Sequence, residues 1–308
     1  MKLPYVTYAQ EKPGPKSLFL KTAHQKSHAL IRGRTLQENR EVRKKMADLF
    51  RVPSGVSVRP GEVGGVPCEW ISKKESNPNK VILHLHGGGW IFGGEGSNRP
   101  AGVFLAEQSR YTVLMADYRL APEHPYPAGL EDCLRVYQAL LLSGFAPGAI
   151  GIFGDSAGGN LSLCLQHKLK ELNLPHPAAI ALASPVTDLR ATSEIRIQKP
   201  DLVYVQEQGE EQDIFSLYLQ GQDASDPLIS PVLGDMSGFP PTLIHVGGDE
   251  ALCEDNIAFA REAHSQGVEV LCKVWPEMFH DFTIAGIALK ESKESVEEMV
   301  AHFEQYMR

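Results

Sequence analysis

The sequence predicts an α/β protein: a mostly parallel sheet covered on both faces by helices, with helical segments added above it. Three observations predict this. From residue 56 onward, short apolar runs alternate with amphipathic stretches. That is the texture of strands buried on both faces and of the helices that cross between them. Glycine-rich turns directly follow two of the runs, at 86–90 and 154–159. Two stretches, 1–50 and 188–226, lack the rhythm and read as additions to it. A chain of 308 residues suffices for one large α/β unit.

The elements can be justified in chain order. The first fifty residues read as helical, because Val42, Met46, Leu49 and Phe50 recur at helical spacing and Pro53 stops the pattern. This face is expected to bury itself. The basic cluster Arg40, Arg43, Lys44 and Lys45 reads as a solvated helix face rather than a membrane-binding one. Strand runs fall at 66–71, 81–86, 112–118, 150–153, 179–183, 242–246 and 268–274. Helical patterns fall at 100–110, 128–142, 157–172, 252–266 and 291–306. Residues 188–226 are polar and acidic, read as helix-like with no strand, and are expected to lie above the sheet on the N-terminal helices as a lid. The expected organisation is a cap segment at 1–50 and an α/β domain at 51–308, with 188–226 as a second cap insertion.

Composition excludes several classes. Hydrophobic residues make up 43% and charged residues 22%, which is ordinary globular usage. The net charge, 30 − 38 = −8, argues against a general nucleic-acid binder. The longest clearly apolar run, 178–183, is far short of the ~20 residues that span a bilayer. Residues 1–16 are polar and proline-broken, without a signal-peptide core. A cytoplasmic protein with no membrane span is expected. The five cysteines, Cys68, Cys133, Cys164, Cys253 and Cys272, are scattered and form no C-x-x-C pair. They read as buried thiols in a reducing compartment rather than as metal ligands.

The sharpest motif is Gly154-Asp155-Ser156-Ala157-Gly158-Gly159, which follows a strand run and opens a helical one. This is G-x-S-x-G in the context that gives it meaning. A sharp strand-to-helix turn holds Ser156 at its tip, and the helix N-terminus places positive partial charge beside the hydroxyl. The second motif, His86-Gly87-Gly88-Gly89-Trp90, follows the run at 81–86. Its glycines free backbone N–H groups to face a cleft, where they can hold an oxyanion. A phosphate loop would need a following Lys, and none is present. His86 with His84 lacks a ligand cluster, so His86 reads as orienting the glycine loop. The third signal is His280, in a loop after the last strand run. An acid-bearing turn at Asp249-Glu250 follows the preceding run. Nucleophile, acid and base thus occur in the order Ser156, Asp249 or Glu250, His280. Loops at the C-terminal ends of parallel strands can bring them to one place.

Through these residues, and through Asp117-Tyr118-Arg119-Leu120-Ala121-Pro122-Glu123-His124-Pro125, the chain resembles the hormone-sensitive-lipase-like esterases of the α/β-hydrolase fold over roughly residues 56–308. The N-terminal helices are similar to that family's cap. The resemblance implies an oxyanion hole from Gly88, Gly89 and the N–H of Ala157, a supporting role for Asp155, and a bracing role for 117–125. It also implies a departure. The family's acid motif is usually D-P-L-x-D, and aligning its Leu with Leu252 puts Glu250 in the acid position. Asp249 is the alternative acid; otherwise it is expected to hydrogen-bond within its own loop.

The reading is therefore a serine esterase of small, short-chain acyl esters, using Ser156, His280 and Glu250 without cofactor or metal. An arylformamidase-like amide hydrolase would use the same triad. A ligand-binding receptor on this scaffold would lack the histidine. A homodimer through a sheet edge is a further implication of the resemblance.

Overall fold

Apolar side chains alternate in direction along each strand, so a strand apolar at every position must be covered on both faces. The computed structural model, which describes residues 3–10, 13–94, 96–190, 192–193, 204–207, 209–286 and 289–308, realises this as a nine-stranded sheet. Its strands are β1 (Val6–Tyr8), β2 (Val56–Val63), β3 (Val66–Lys73), β4 (Asn77–Leu85), β5 (Tyr111–Ala116), β6 (Ile150–Asp155), β7 (Ala179–Ala183), β10 (Thr242–Gly247) and β11 (Val270–Trp275). The spatial order is β1-β11-β10-β7-β6-β4-β5-β3-β2. Pairing is parallel from β1 through β5 and antiparallel for β5–β3 and β3–β2.

The helices take the two faces. On one, α4 (Ala128–Leu142) and α5 (Ser156–Glu171) pack on Val81, Leu83, Leu85, Ile150 and Ile152. Further along that face, α7 (Cys253–Ser265) covers Ile180, Leu182, Ile244 and Val246. On the other face, α3 (Arg99–Gln108) and α8 (Lys290–Tyr306) cover Ile82, Val113, Phe153 and Ala181. Ile82 and its neighbours Val81 and Leu83 thus point into different cores, as the period of two requires. Each large apolar side chain fully buried here contributes about 1.5–3 kcal/mol relative to exposure. Among the described residues no helix is long and apolar enough to cross a membrane. All five thiols are buried, and burial pushes Cys68 and Cys253 up to about 12.

The additions depart from expectation in three ways. The first fifty residues are not wholly helical, since β1 precedes α1 (Pro15–Arg32) and α2 (Leu36–Asp48) and pairs with β11 at the sheet edge. The stretch 188–226 contains a hairpin, β8 (Tyr204–Glu207) and β9 (Glu210–Asp213), before α6 (Ile214–Leu219). Residues 191, 194–203 and 208 of that stretch lie outside the described residues. Finally, the face that the periodicity suggests is buried only in part: Val42 and Phe50 are half-buried, and Phe50 packs on the sheet core. Met46 and Leu49 are 67% and 81% exposed, while Leu36, Asn39 and Ala47 are buried. The physical reason is the surface beneath α2, where loop carbonyls need donors.

Arg40 answers that need. It donates to Ile91 O at 2.8 Å and to Ala121 O at 2.7 Å, and it pairs with Glu123 at 2.6 Å. The basic cluster is therefore only partly a solvated face. The N-terminus of α2 is held by a capping box, with Glu38 N donating to Thr35 Oγ1 at 3.2 Å and Thr35 N to Glu38 Oε2 at 2.8 Å. Arg32 at the end of α1 is bonded to Glu211 at 2.6 Å, and Gln206 N donates to Arg34 O at 3.0 Å. The β8–β9 hairpin is thereby fastened to the N-terminal helices.

Candidate active site

Four loops at the carboxyl ends of β4, β6, β10 and β11 carry the residues that the motifs single out. Ser156 stands at the end of β6, with φ of 49°, as the first residue of α5. This left-handed conformation is uncommon outside glycine and is held by its surroundings. The turn is possible because Gly158 has no side chain: a Cβ there would collide with the Leu85 carbonyl. The chain then packs α5 directly against β4.

His280 reaches Ser156 from the loop after β11, with Nε2 3.0 Å from Oγ. On the other side of the ring, Nδ1 lies 3.5 Å from Glu250 Oε2. Glu250 is buried, and its Oε2 accepts a 2.9 Å hydrogen bond from Ser184 Oγ. Asp249 points elsewhere. Its carboxylate is ion-paired with Lys21 of α1, and its N–H donates to Met278 O at 3.1 Å. The expectation that its side chain would bond its own loop is thus corrected. The helix α1 supplies a cation at this point, and a carboxylate prefers that cation to a neutral loop N–H.

The glycine loop after β4 leaves two N–H groups, of Gly88 and Gly89, and the serine turn a third, of Ala157, each directed away from a bonded carbonyl. Gly88 has φ of 120°, and a Cβ on it would strike the Phe92 carbonyl. Gly88 O accepts from Phe92 N at 2.9 Å and Ile91 N at 3.2 Å. A trans peptide points its N–H opposite its C=O, so Gly89 N–H faces away from that turn. The same logic holds for Gly88 N–H, because Gly87 O accepts from His86 Nδ1 at 2.8 Å. It holds also for Ala157 N–H, because Ser156 O accepts from Val186 N at 3.2 Å.

Behind the loop lies a buried polar frame. Asp155 accepts from His84 Nε2 at 2.9 Å and from Gly87 N at 2.7 Å, tying the serine turn to the glycine loop. His86 stacks on Tyr118 at 4.3 Å, and Tyr118 OH donates to His86 O at 2.6 Å. Burial pulls the His86 imidazole down to about 4, so it is neutral at pH 7. His84 Nδ1 and His86 Nε2 have no hydrogen-bond partner among the described residues. The 117–125 stretch braces the same loop, since Ala121 N donates to Trp90 O at 2.9 Å. From above, Ile214 of α6 covers Gly89, so that an added Cβ would lie 2.8 Å from its Cδ1. Tyr218 stacks on Trp90 at 4.4 Å.

Sequence reasoning missed Ser184, which also accepts from Asp281 N at 3.3 Å and so joins the acid and histidine loops. Its signal was faint, a serine just past a strand run. It missed Arg40 and Lys21 as well, because a lone cation on a polar helix gives no sign of what it reaches.

Comparison with known proteins gives the family of the chain. The model of the alpha/beta hydrolase fold family matches residues 82–284. An esterase of Acinetobacter venetianus is 34% identical over 258 residues, 83% of this chain and 85% of that protein. An acetyl-hydrolase of Streptomyces hygroscopicus is 34% identical over 254 residues, 79% of this chain and 82% of that one. The crystal structure of an esterase from the bacterial hormone-sensitive lipase family superposes with a TM-score of 0.86 at 31% identity, covering 97% of this chain and all of the other. Fold, motif context and shared sequence converge, and the chain belongs to the hormone-sensitive lipase family of α/β-hydrolase esterases.

Proposed function

We propose that this esterase hydrolyses short-chain acyl esters through Ser156, His280 and Glu250, by way of an acyl-enzyme. His280 Nε2 takes the proton of Ser156 as Oγ attacks the ester carbonyl, and Glu250 holds the ring with Nδ1–H facing it and stabilises the imidazolium. The N–H groups of Gly88, Gly89 and Ala157 receive the oxyanion, whose charge develops where they converge. His280 then gives its proton to the departing alkoxide. Water repeats the sequence on the acyl-enzyme with His280 again as base. The observation carrying this reading is the relay itself: Ser156 Oγ to His280 Nε2 at 3.0 Å, with Glu250 on the far side of the ring at 3.5 Å.

In this reading, α1, α2, the β8–β9 hairpin and α6 form a cap that walls the acyl site. Ile214, Phe215 and Tyr218 over the glycine loop support it. So does the name of the Streptomyces relative, an acetyl-hydrolase. The test is a fluorophosphonate label followed by turnover of para-nitrophenyl esters of increasing acyl length. Wild type takes the label and favours short chains; Ser156→Ala takes none and loses about four decades of kcat. Labelled and active Ser156→Ala would overturn the mechanism.

A further inference from the structure

One cation on α2, resting on the turn behind the glycine loop, has no place in the machinery above. Arg43 lies one turn after Arg40 on α2, on the side that faces the glycine loop. Its guanidinium sits 4.4 Å above the Phe92 ring. Phe92 belongs to the turn that closes on Gly88 O, so Arg43 rests on the segment bearing the oxyanion donors. Arg43 lines two adjoining cavities, of about 540 and 710 Å³. Its charge is not spent on the fold, since among the described residues it makes no hydrogen bond or ion pair. The opposite charge that it feels is Asp281, whose Oδ2 lies 3.4 Å from His280 Nε2. Arg43 therefore lines the side cavities and stands within electrostatic reach of the histidine loop. Arg43 is nonetheless exposed at the surface, with one face of its guanidinium covered by the Phe92 ring. A guanidinium held flat against a ring keeps its in-plane N–H groups for an anion.

We propose that Arg43 is a specificity residue that docks a carboxylate on the substrate, so that the preferred esters carry a negative charge a few bonds from the scissile group. This rests on the esterase reading and names its substrate class. A carboxylate can take two parallel N–H bonds from the guanidinium while Phe92 holds the fork in place. The neighbouring Arg40 cannot serve, because Ile91 O, Ala121 O and Glu123 already occupy it.

Two matched pairs of esters test the idea. Mono-(para-nitrophenyl) adipate against para-nitrophenyl hexanoate places the charge on the acyl side. Meta-acetoxybenzoate against its methyl ester places it on the alcohol side. The readout is the ratio of kcat/KM for charged over neutral ester. In at least one pair, Arg43→Gln lowers the wild-type ratio by about tenfold, the worth of one charge-assisted contact. Arg43→Lys should keep part of the preference, and added salt should narrow it in the wild type. If the ratio is unchanged in both pairs for both variants, the proposal is wrong. It is equally wrong if charged and neutral esters decline together, since Arg43 would then only support the Phe92 turn. Should Arg43→Gln fail to fold, Arg43→Lys and the salt dependence decide. Failure of the esterase reading looks different: wild type would hydrolyse none of the four esters and take no phosphonate label.

Discussion

Glu250 and Asp249 are neighbours in sequence with the same charge and face opposite partners. Glu250 turns inward to Ser184 and the His280 ring, while Asp249 turns outward to Lys21. Glu250→Gln is expected to lower kcat by about two to four decades, because the tautomer and the charged form of His280 lose support. Asp249→Asn is expected to cost about tenfold or less, since it loosens a partly exposed ion pair. Steady-state kinetics on the two folded variants checks the ranking, and the reverse order would move the acid to Asp249. Ser184→Ala leaves Glu250 with one donor fewer in a buried site, so a loss of about 1–2 kcal/mol in stability accompanies a fall in kcat. Glu250 was legible through the register of Leu252. Ser184 was not, because its role comes from a backbone with φ of 46° that turns its hydroxyl toward a loop 66 residues away.

At the scale of elements, α2 is the instructive case. A period of apolar residues predicts which side of a helix buries only when the surface below is apolar. Here the surface includes carbonyls of two buried loop residues, and Arg40 satisfies them at Ile91 O and Ala121 O. Arg40→Ala is expected to destabilise the protein by about 1–3 kcal/mol, with a lower thermal midpoint and a fall in esterase turnover as the glycine loop loosens. An unchanged midpoint and unchanged kcat would show that α2 is held by Leu36 and Ala47 alone. The strand β2 went unassigned because its Arg-Pro-Gly-Glu run breaks the apolar pattern, and the strands β1, β8 and β9 escaped sequence reasoning for a different reason. They are three or four residues long, and β9 reads Glu-Glu-Gln-Asp, so no period of two can be seen in them.

Across the whole molecule, the buried histidines set the acid limit of stability. His86 is held at about 4 in the folded chain against 6.5 in the unfolded one, so the unfolded state binds more protons between those values. Its contribution is complete above pH 6.5 and is lost as pH falls toward 4, amounting to about 3 kcal/mol. Burial pulls His167, His245 and His302 down too, so their effects share the sign. Urea melts at pH 7.0, 5.5 and 4.5 should show a steadily falling unfolding free energy. The fall should be smaller in a folded His86→Asn variant. A flat profile would mean that His86 is not buried neutral.

The sequence by itself determined the parallel α/β sheet, the strand-to-helix serine turn, the glycine loop and the histidine, because each is written in contiguous residues whose backbone chemistry admits few conformations. Alternation of apolar residues sets the strands, and glycine sets the turns. Only the tertiary structure decided which way side chains on loops and polar helices point: Glu250 to the imidazole, Asp249 to Lys21, Ser184 between two loops, Arg40 to carbonyls and Arg43 onto the Phe92 ring. Those choices depend on partners about 30 to 228 residues away. Hydrogen bonds and ion pairs between distant segments leave no period in the chain, so they exist only once the sheet has brought the loops together.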